Sequence, residues 1–169
     1  VQTCALPISM TSFKNGGSAV GEIRTSTTAT QYITSSDYRL KENVTSITDG
    51  IVRVKQLKPS RFNFIADKDT TLDGFLAHET QTVVPEAISA TKDATRDIGT
   101  IKDADGNVID TNVEESVKED GQTWEKTATE NVYQGIDQSK LVPLLTAALQ
   151  EAITKIETLE TKVTALESK

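Results

Sequence analysis

The chain has 169 residues, of which 36% are hydrophobic, and its formal net charge is −7 at pH 7. Four Phe, three Tyr and one Trp supply few large side chains for an extensive core. The acidic balance argues against nucleic-acid binding, which needs clustered Lys and Arg, and no apolar run approaches the roughly 18 residues of a membrane span. The sequence indicates neither a metal site nor a cofactor site.

The first 35 residues differ in composition from the rest. Residues 1–9 resemble a non-native, adapter-like leader, and Cys4, the single cysteine, has no assigned role. Residues 10–35 are rich in Gly, Ser and Thr, and Asn15-Gly16-Gly17 is a turn signal between short β-type segments. These segments lie near residues 12–14, 19–23 and 31–33. A polar β stretch of this kind is marginal alone, which leaves two interpretations: a β structure shared between chains, or a flexible linker.

The stretch Ser36–Val44 contains a serine followed five residues later by a lysine. This spacing suits a Ser–Lys nucleophile pair, but it also suits an ordinary helix start, with Ser36 or Asp37 as the capping residue and Tyr38–Val44 as the first turns. On an ideal helix, positions five apart lie about 140° from each other. Ser36 and Lys41 can therefore meet only if the serine lies outside the helix and the chain bends back.

Residues 44–91 are typical of a compact segment of mixed structure. Apolar residues at helical spacing predict a helix near Asp49–Gln56, ended by Lys58-Pro59. Alternating residues then predict a strand at Arg61–Ile65. The next predicted elements are a polar loop at Asp67–Asp73, a short buried strand at Phe75–Ala77, and one or two helical turns at Glu79–Val84, stopped by Pro85.

His78 is the only histidine and is therefore a candidate catalytic residue. A histidine side chain titrates near neutral pH, so it could modulate a proton transfer. No cysteine or carboxylate stands at metal-ligand spacing from it, so the simpler interpretation is a polar packing residue.

Residues 92–132 form a polar insert that is rich in Asp, Glu, Lys and Thr. The pattern predicts a hairpin of Ile98–Lys102 and Val108–Asp110. The intervening Asp103-Ala104-Asp105-Gly106-Asn107 lacks the complete ligand set of a calcium loop, so we interpret it as a turn. We expect Trp124 to anchor the insert to the body or to a neighbouring chain.

From Ser139 onward the sequence predicts a continuous helix with an apolar seam. Lys155 and Lys162 at heptad position g precede Glu160 and Glu167 at the following e positions, which is typical of a parallel coiled coil. A single amphipathic helix packed on its own domain is the alternative. Pro143 lies in the first turn, where a missing N–H is tolerated. The seam residues at positions a and d are Val142, Leu145, Leu149, Ala152, Ile156, Leu159, Val163 and Leu166.

Five sequence blocks follow one another along residues 34–169. They are Ser36–Val44, Leu57-x-Pro59 with Phe62-x-Phe64, Gly74–Glu79, Val84–Ile88 and Tyr133–Leu149. In this order they resemble the peptidase S74 family, the C-terminal intramolecular chaperone domains of phage tail fibres, tailspikes and endosialidases.

The resemblance implies an α+β fold and a domain organisation. A small body at residues 36–138, with residues 92–132 as a variable insert, would precede a helix at residues 139–169 that forms a parallel trimeric coiled coil. Residues 10–35 would be the end of a β-rich fibre shaft.

The resemblance also implies a self-cleaving serine endopeptidase with a Ser–Lys dyad. Ser36 would attack the carbonyl of Ser35, and Lys41 would accept the hydroxyl proton as general base. An amine can do so only when neutral, which requires burial. Supporting roles follow for four residues: Asp37 and Arg39 holding the turn, Asn43 as an oxyanion donor, and His78, where the family usually has glutamine, as a modulator.

The implied function is that of an intramolecular chaperone that trimerises a tail fibre and then releases itself. Its partners would be two further copies and its own shaft, with neither nucleic acid nor membrane. It would be made in the bacterial cytoplasm and reside in the virion tail until release. The alternatives are a non-cleaving cap or host-binding tip, and a related domain of membrane-bound eukaryotic transcription factors, which the lack of a basic region and of a membrane span disfavours.

Overall fold

A computed structural model describes residues 8–168 of the chain. The fold is mixed α and β, with several small sheets and a long C-terminal helix, as predicted. It divides into two compact units, one ending at Ser46 and the other beginning at Ile47. The division falls inside the body that we expected to begin at residue 36. The strands and helices are β1 (Ile8–Asn15), β2 (Ser18–Thr25), β3 (Thr30–Thr34), α1 (Gly50–Val54), β4 (Ser60–Phe64), β5 (Asp67–Gly74), α2 (Ala77–Thr80), β6 (Ile88–Ser89), β7 (Thr95–Lys102), β8 (Val108–Val113), β9 (Thr123–Asn131), β10 (Gly135–Ile136) and α3 (Leu141–Glu167).

The first unit contains an antiparallel sheet of order β1-β2-β3. The predicted turn at Gly16-Gly17 joins β1 to β2, and both glycines adopt positive φ, 56° and 85°, which costs glycine little. Large side chains on this sheet are exposed, including Phe13 (52%) and Tyr32 (79%). The sheet therefore has little apolar core of its own. Cys4 and most of the predicted leader lie outside the described residues.

The core of the second unit forms where α3 meets the segment between α2 and β6. Val84 and Leu144 are almost completely buried at its centre. The remaining core members are Val83, Ala87 and Leu141, with Val54, Leu57, Phe75 and Ile88 packed against them. Residues in and just after α1, residues between β5 and β6, and residues at the start of α3 thus share one small core.

Helices α1 and α3 cross at very short range. A Cβ added to Gly50 would lie 2.5 Å from the backbone nitrogen of Ala148, so only glycine fits there. The Glu151 carboxylate accepts hydrogen bonds from the N–H groups of Gly50 (2.6 Å) and Ile51 (3.2 Å). A side chain of α3 thereby satisfies backbone donors at the start of α1, which no local side chain caps.

Two predictions in the body are wrong. The predicted polar loop at Asp67–Asp73 is strand β5, which pairs with β4 and is exposed along most of its length. Because neither face of β5 is buried, its sequence lacks the alternation that identifies a strand. The predicted buried strand Phe75–Ala77 is instead an extended lead into α2, with Leu76 as its 44% exposed N-cap residue.

The insert forms a three-stranded antiparallel sheet of order β8-β7-β9. The predicted hairpin is confirmed as β7 and β8, whereas β9 was not predicted. Ile98 and Ile101 on β7 are buried in it. Trp124 packs within the insert, and its expected role as an anchor to the body or to a neighbouring chain stays a prediction. Its indole N–H donates to the carbonyl of Val113 (2.9 Å) and its ring lies against Gly99, so it holds β8 and β9 onto β7.

Helix α3 has two apolar faces near its start. It follows a one-turn 3₁₀ helix at Gln138–Lys140 and extends for 27 residues, which confirms the predicted long helix. Leu141, Leu144 and Ala148 are buried against the body. A second apolar face carries the seam residues, and it is described with the candidate site.

Candidate functional site

Ser36 and Lys41 contact each other directly. The Nζ of Lys41 donates a hydrogen bond to the Oγ of Ser36 at 2.7 Å, and both side chains are exposed. A nucleophile and its base need separations of about 2.6–3.2 Å. The 2.7 Å distance lies within the range that a nucleophile and its base would need.

A single turn of 3₁₀ helix brings these two side chains together. The turn comprises Tyr38–Leu40, and Lys41 already has extended backbone (φ −126°, ψ 141°). The predicted helix over Tyr38–Val44 is thus wrong beyond Leu40. A longer α-helix would carry positions 36 and 41 to different faces, whereas the early exit turns the lysine side chain back to the serine.

Asp37 and Arg39 fasten this turn. The Asp37 carboxylate accepts the backbone N–H of Arg39 (2.9 Å) as the capping interaction. It also accepts two bonds from the Arg39 guanidinium, at 3.0 Å from Nε and 2.8 Å from Nη2. These side-chain hydrogen bonds hold the pKa of the Asp37 carboxyl below its usual value. A capped turn with a bidentate ion pair therefore lies between Ser36 and Lys41.

Asn43 occupies the left-handed region of the backbone, with φ 52°. Asparagine adopts this conformation more readily than most residues, so its place in the stretch has a conformational reason. The predicted role of Asn43 as an oxyanion donor stays a prediction.

Ser35, directly before the pair, is tied to the sheet. Its N–H donates to the carbonyl of Val20 on β2 at 3.2 Å. The Ser35–Ser36 peptide bond therefore lies between a strand pairing on one side and the Ser36–Lys41 contact on the other.

Three apolar side chains around the turn are exposed. They are Tyr38 (82%), Leu40 (73%) and Val44 (80%). Lys41 is exposed as well, so its amine is in contact with water.

His78 lies in the second unit, at the start of α2. It is half-buried and lines a cleft of about 420 Å³ with Tyr133, Asn131 and Lys92. Its predicted modulating role stays a prediction.

The Asp103 turn uses its polar groups internally. The Asp103 carboxylate accepts the backbone N–H groups of Asp105 (2.9 Å) and Asn107 (2.8 Å) and the Asn107 side-chain amide (2.9 Å). These hydrogen bonds lower the pKa of the Asp103 carboxyl, and the bond from the Asn107 side chain has the largest effect. Within residues 8–168 we find no group of three His, Cys, Asp or Glu arranged to hold a metal ion. Nor does any helix in this range combine the length and apolar character needed to cross a bilayer.

The seam face of α3 is open over its whole length. Ala152 is half-buried, and the other seven seam residues are at least 48% exposed. Leu159 (59%) and Leu166 (69%) lie in the half of the helix beyond the body-facing residues. The early turns of α3 therefore pack on their own unit through one face while the seam face remains uncovered.

A family model matches part of the chain. The peptidase S74 family, described as chaperone of endosialidase, matches residues 36–89, about a third of the chain. No curated protein matches the chain. The predicted resemblance is confirmed over this range, which begins at Ser36 and includes Lys41.

Proposed function

Because residues 36–89 match a family of chaperones that carries the name of a peptidase, we propose that this chain is an intramolecular chaperone that cleaves itself at Ser35–Ser36. It would trimerise and register a phage tail fibre or tailspike before this release. The observation that carries the proposal is the 2.7 Å hydrogen bond from Lys41 Nζ to Ser36 Oγ at the first residues of the match.

The proposed cleavage balances as a hydrolysis. Ser36 Oγ attacks the carbonyl carbon of Ser35 and gives its proton to the neutral amine of Lys41. The bond from that carbon to the Ser36 nitrogen then breaks, and the nitrogen takes the proton back from Lys41. Ser35 is now an ester on the Ser36 side chain, and one water hydrolyses it to a Ser35 carboxylate and a new N-terminal Ser36.

Assembly provides the condition for this chemistry. An amine in water is protonated at neutral pH and cannot accept a proton. Cover by neighbouring chains over Tyr38, Leu40 and Val44 would exclude water and favour the neutral amine. Cleavage would then follow correct assembly.

The proposed assembly is a parallel homotrimer through the seam of α3. Its support is the open apolar face, together with Lys155 and Lys162 placed to meet Glu160 and Glu167 of a neighbouring helix. Such surface pairs contribute little energy and mainly set orientation. Three joined helices would raise the local concentration of three shaft segments for each other.

The sheet β1–β3 is proposed as the end of the shaft. Its exposed Phe13 and Tyr32 fit strands whose core is completed by other chains. In this proposal the protein is made in the host cytoplasm, belongs to the virion tail and leaves it after cleavage. Its partners are two further copies and its own shaft.

Intact-mass measurement after expression tests the proposal. We expect the parent chain to yield a C-terminal piece beginning at Ser36, and Ser36→Ala to remain whole while keeping its fold. Lys41→Arg and Lys41→Ala should also remain whole, since a guanidinium stays protonated and alanine supplies no base, even at raised pH. Ser46→Ala is the matched control and should cleave normally.

Trapping distinguishes the ester route from contamination. Neutral hydroxylamine should convert the ester to a Ser35 hydroxamate in the parent and not in Ser36→Ala. Equal cutting of Ser36→Ala at this bond would identify a contaminating protease. A well-formed trimer that stays whole would instead identify a permanent cap or host-binding tip.

A further inference from the structure

We propose that Val20, in the central strand β2, is a positioning residue for cleavage of the Ser35–Ser36 bond. Its carbonyl holds the Ser35 N–H, so the bond is presented to Ser36 Oγ only while β3 is paired with β2. This inference rests on the proposed self-cleavage and adds the state of the sheet as a second condition for it.

The Val20–Ser35 contact continues the ladder between β2 and β3. The register pairs Gly21 with Thr34 and Glu22 with Ile33, which puts Val20 opposite Ser35. The bond from Ser35 N to Val20 O is 3.2 Å. At the far end of the same ladder, the Ser26 N–H donates to the Ala29 carbonyl at 2.8 Å. Val20 in β2 and Ser26, the residue directly after β2, both occupy hydrogen-bonded positions, which alternate with non-hydrogen-bonded ones along an antiparallel pair. The contact is thus part of the strand pairing.

The two sides of the Ser35–Ser36 bond are therefore held by different parts of the unit. Val20 fixes the amide of Ser35, and Lys41 holds the Ser36 hydroxyl at 2.7 Å. Attack requires the hydroxyl to meet the Ser35 carbonyl in one orientation, and a displacement of about 1 Å at a reacting group costs roughly 100-fold in rate. Loss of the Val20 bond frees the carbonyl side while leaving the hydroxyl side intact.

The pairing at this point is close. A Cβ added to Gly21 would lie 2.9 Å from the carbonyl oxygen of Ile33. Strand β3 is at the edge of the sheet and pairs with β2 alone among the strands the structure describes. Release of β3 would therefore remove the anchor of Ser35 without disturbing the β1–β2 pair.

The test compares Ser35→Pro with Ser35→Ala and Thr34→Pro in the full 169-residue chain. Ser35→Pro deletes the donor to Val20, and we expect a loss of about 100-fold in the first-order cleavage rate. Ser35→Ala keeps the N–H. Thr34→Pro puts proline one residue earlier, where the N–H faces the open edge of the sheet and is dispensable. Thr34→Pro should cleave at a rate close to that of the parent, and Ser35→Ala, which alters the residue at the scissile carbonyl but keeps its N–H, sets the reference rate for Ser35→Pro.

Two further readouts separate positioning from general loss of structure. In Ser35→Pro the amides of the Glu22–Ile33 ladder should stay protected from hydrogen exchange. The pH at half-maximal rate should also equal that of the parent, because the Lys41–Ser36 contact is untouched. Gly21→Ala should slow cleavage as well, because its new methyl group would push β3 away from β2 at the Ile33 carbonyl.

Each outcome has one meaning. If Ser35→Pro cleaves as fast as Ser35→Ala, the positioning role of Val20 is wrong and the proposed function stands. If the cleavage rate of Ser35→Pro falls only as far as the amides of the Glu22–Ile33 ladder lose protection from exchange, the Val20 bond stabilises the sheet without positioning the scissile bond. The inference then fails. If the parent and Ser35→Ala both stay whole, the proposed self-cleavage itself is overturned, and the inference with it.

Discussion

Leu159 offers a quantitative test of the proposed coiled coil. It occupies a d position of the seam and is 59% exposed in the single chain. Full burial of a leucine side chain contributes about 1.5–3 kcal/mol, so covering the exposed part contributes about 1–2 kcal/mol per chain and about 3–5 kcal/mol per trimer. Leu159→Ala should therefore lower the trimer association constant by roughly 10²–10⁴. Leu159→Lys should dissociate the trimer, because it places three like charges on one axis.

Sedimentation equilibrium over a range of concentrations measures this change directly. Thr161→Ala is the matched control, since position 161 faces away from the seam two residues along the same helix. The control should keep the association constant of the parent. A parent that is monomeric at micromolar concentration, or equal effects at both positions, would show that this face does not join chains.

Two further predictions concern a helix crossing and an ion pair. Gly50→Ala should lower the free energy of unfolding, measured by urea titration, by about 1–3 kcal/mol, because the new methyl group meets the backbone of α3. Gly74→Ala should lower it less, because the neighbour there is the movable ring of Phe62. Equal losses of stability in the two variants would contradict this reasoning. The lowered pKa of Asp37 means that its pair with Arg39 stabilises the turn above the usual carboxylate pKa and is lost as pH falls through the lower, folded value. A carboxyl-carbon NMR titration should show a higher midpoint for Asp37 in Arg39→Gln than in the parent, and identical midpoints would refute the assigned cause.

Local patterns predicted the elements whose sequence signal is strong. The heptad repeat of apolar seam residues predicted α3, and the turn signal at Asp103–Asn107 predicted the β7–β8 hairpin. In the site, the Ser36–Lys41 spacing and the family resemblance selected the two residues that the structure brings into contact. The condition stated from geometry alone, a serine outside the helix and a chain that bends back, is met by the short 3₁₀ turn.

The features that were missed depend on partners far away in the sequence or on exposed strands. Strand β5 carries no apolar alternation because both of its faces are exposed. The cap of Glu151 on α1 joins residues 101 positions apart, and no local pattern announces it. The Val20–Ser35 bond likewise requires the register of β2 against β3, which the polar composition of residues 10–35 leaves undetermined.

The dependence of α1 on α3 has a consequence for synthesis on the ribosome. Gly50 needs the backbone near Ala148 as its packing surface and Glu151 as its cap. A ribosome adds about 5–20 residues per second, so roughly 5–20 s separate the appearance of Gly50 from that of Glu151. During this interval the nascent chain has exposed Val83 and Val84 without the Leu144 that covers them. A transcript cut short before α3 therefore yields a chain with an incomplete core, because Leu141 and Leu144 are missing from it.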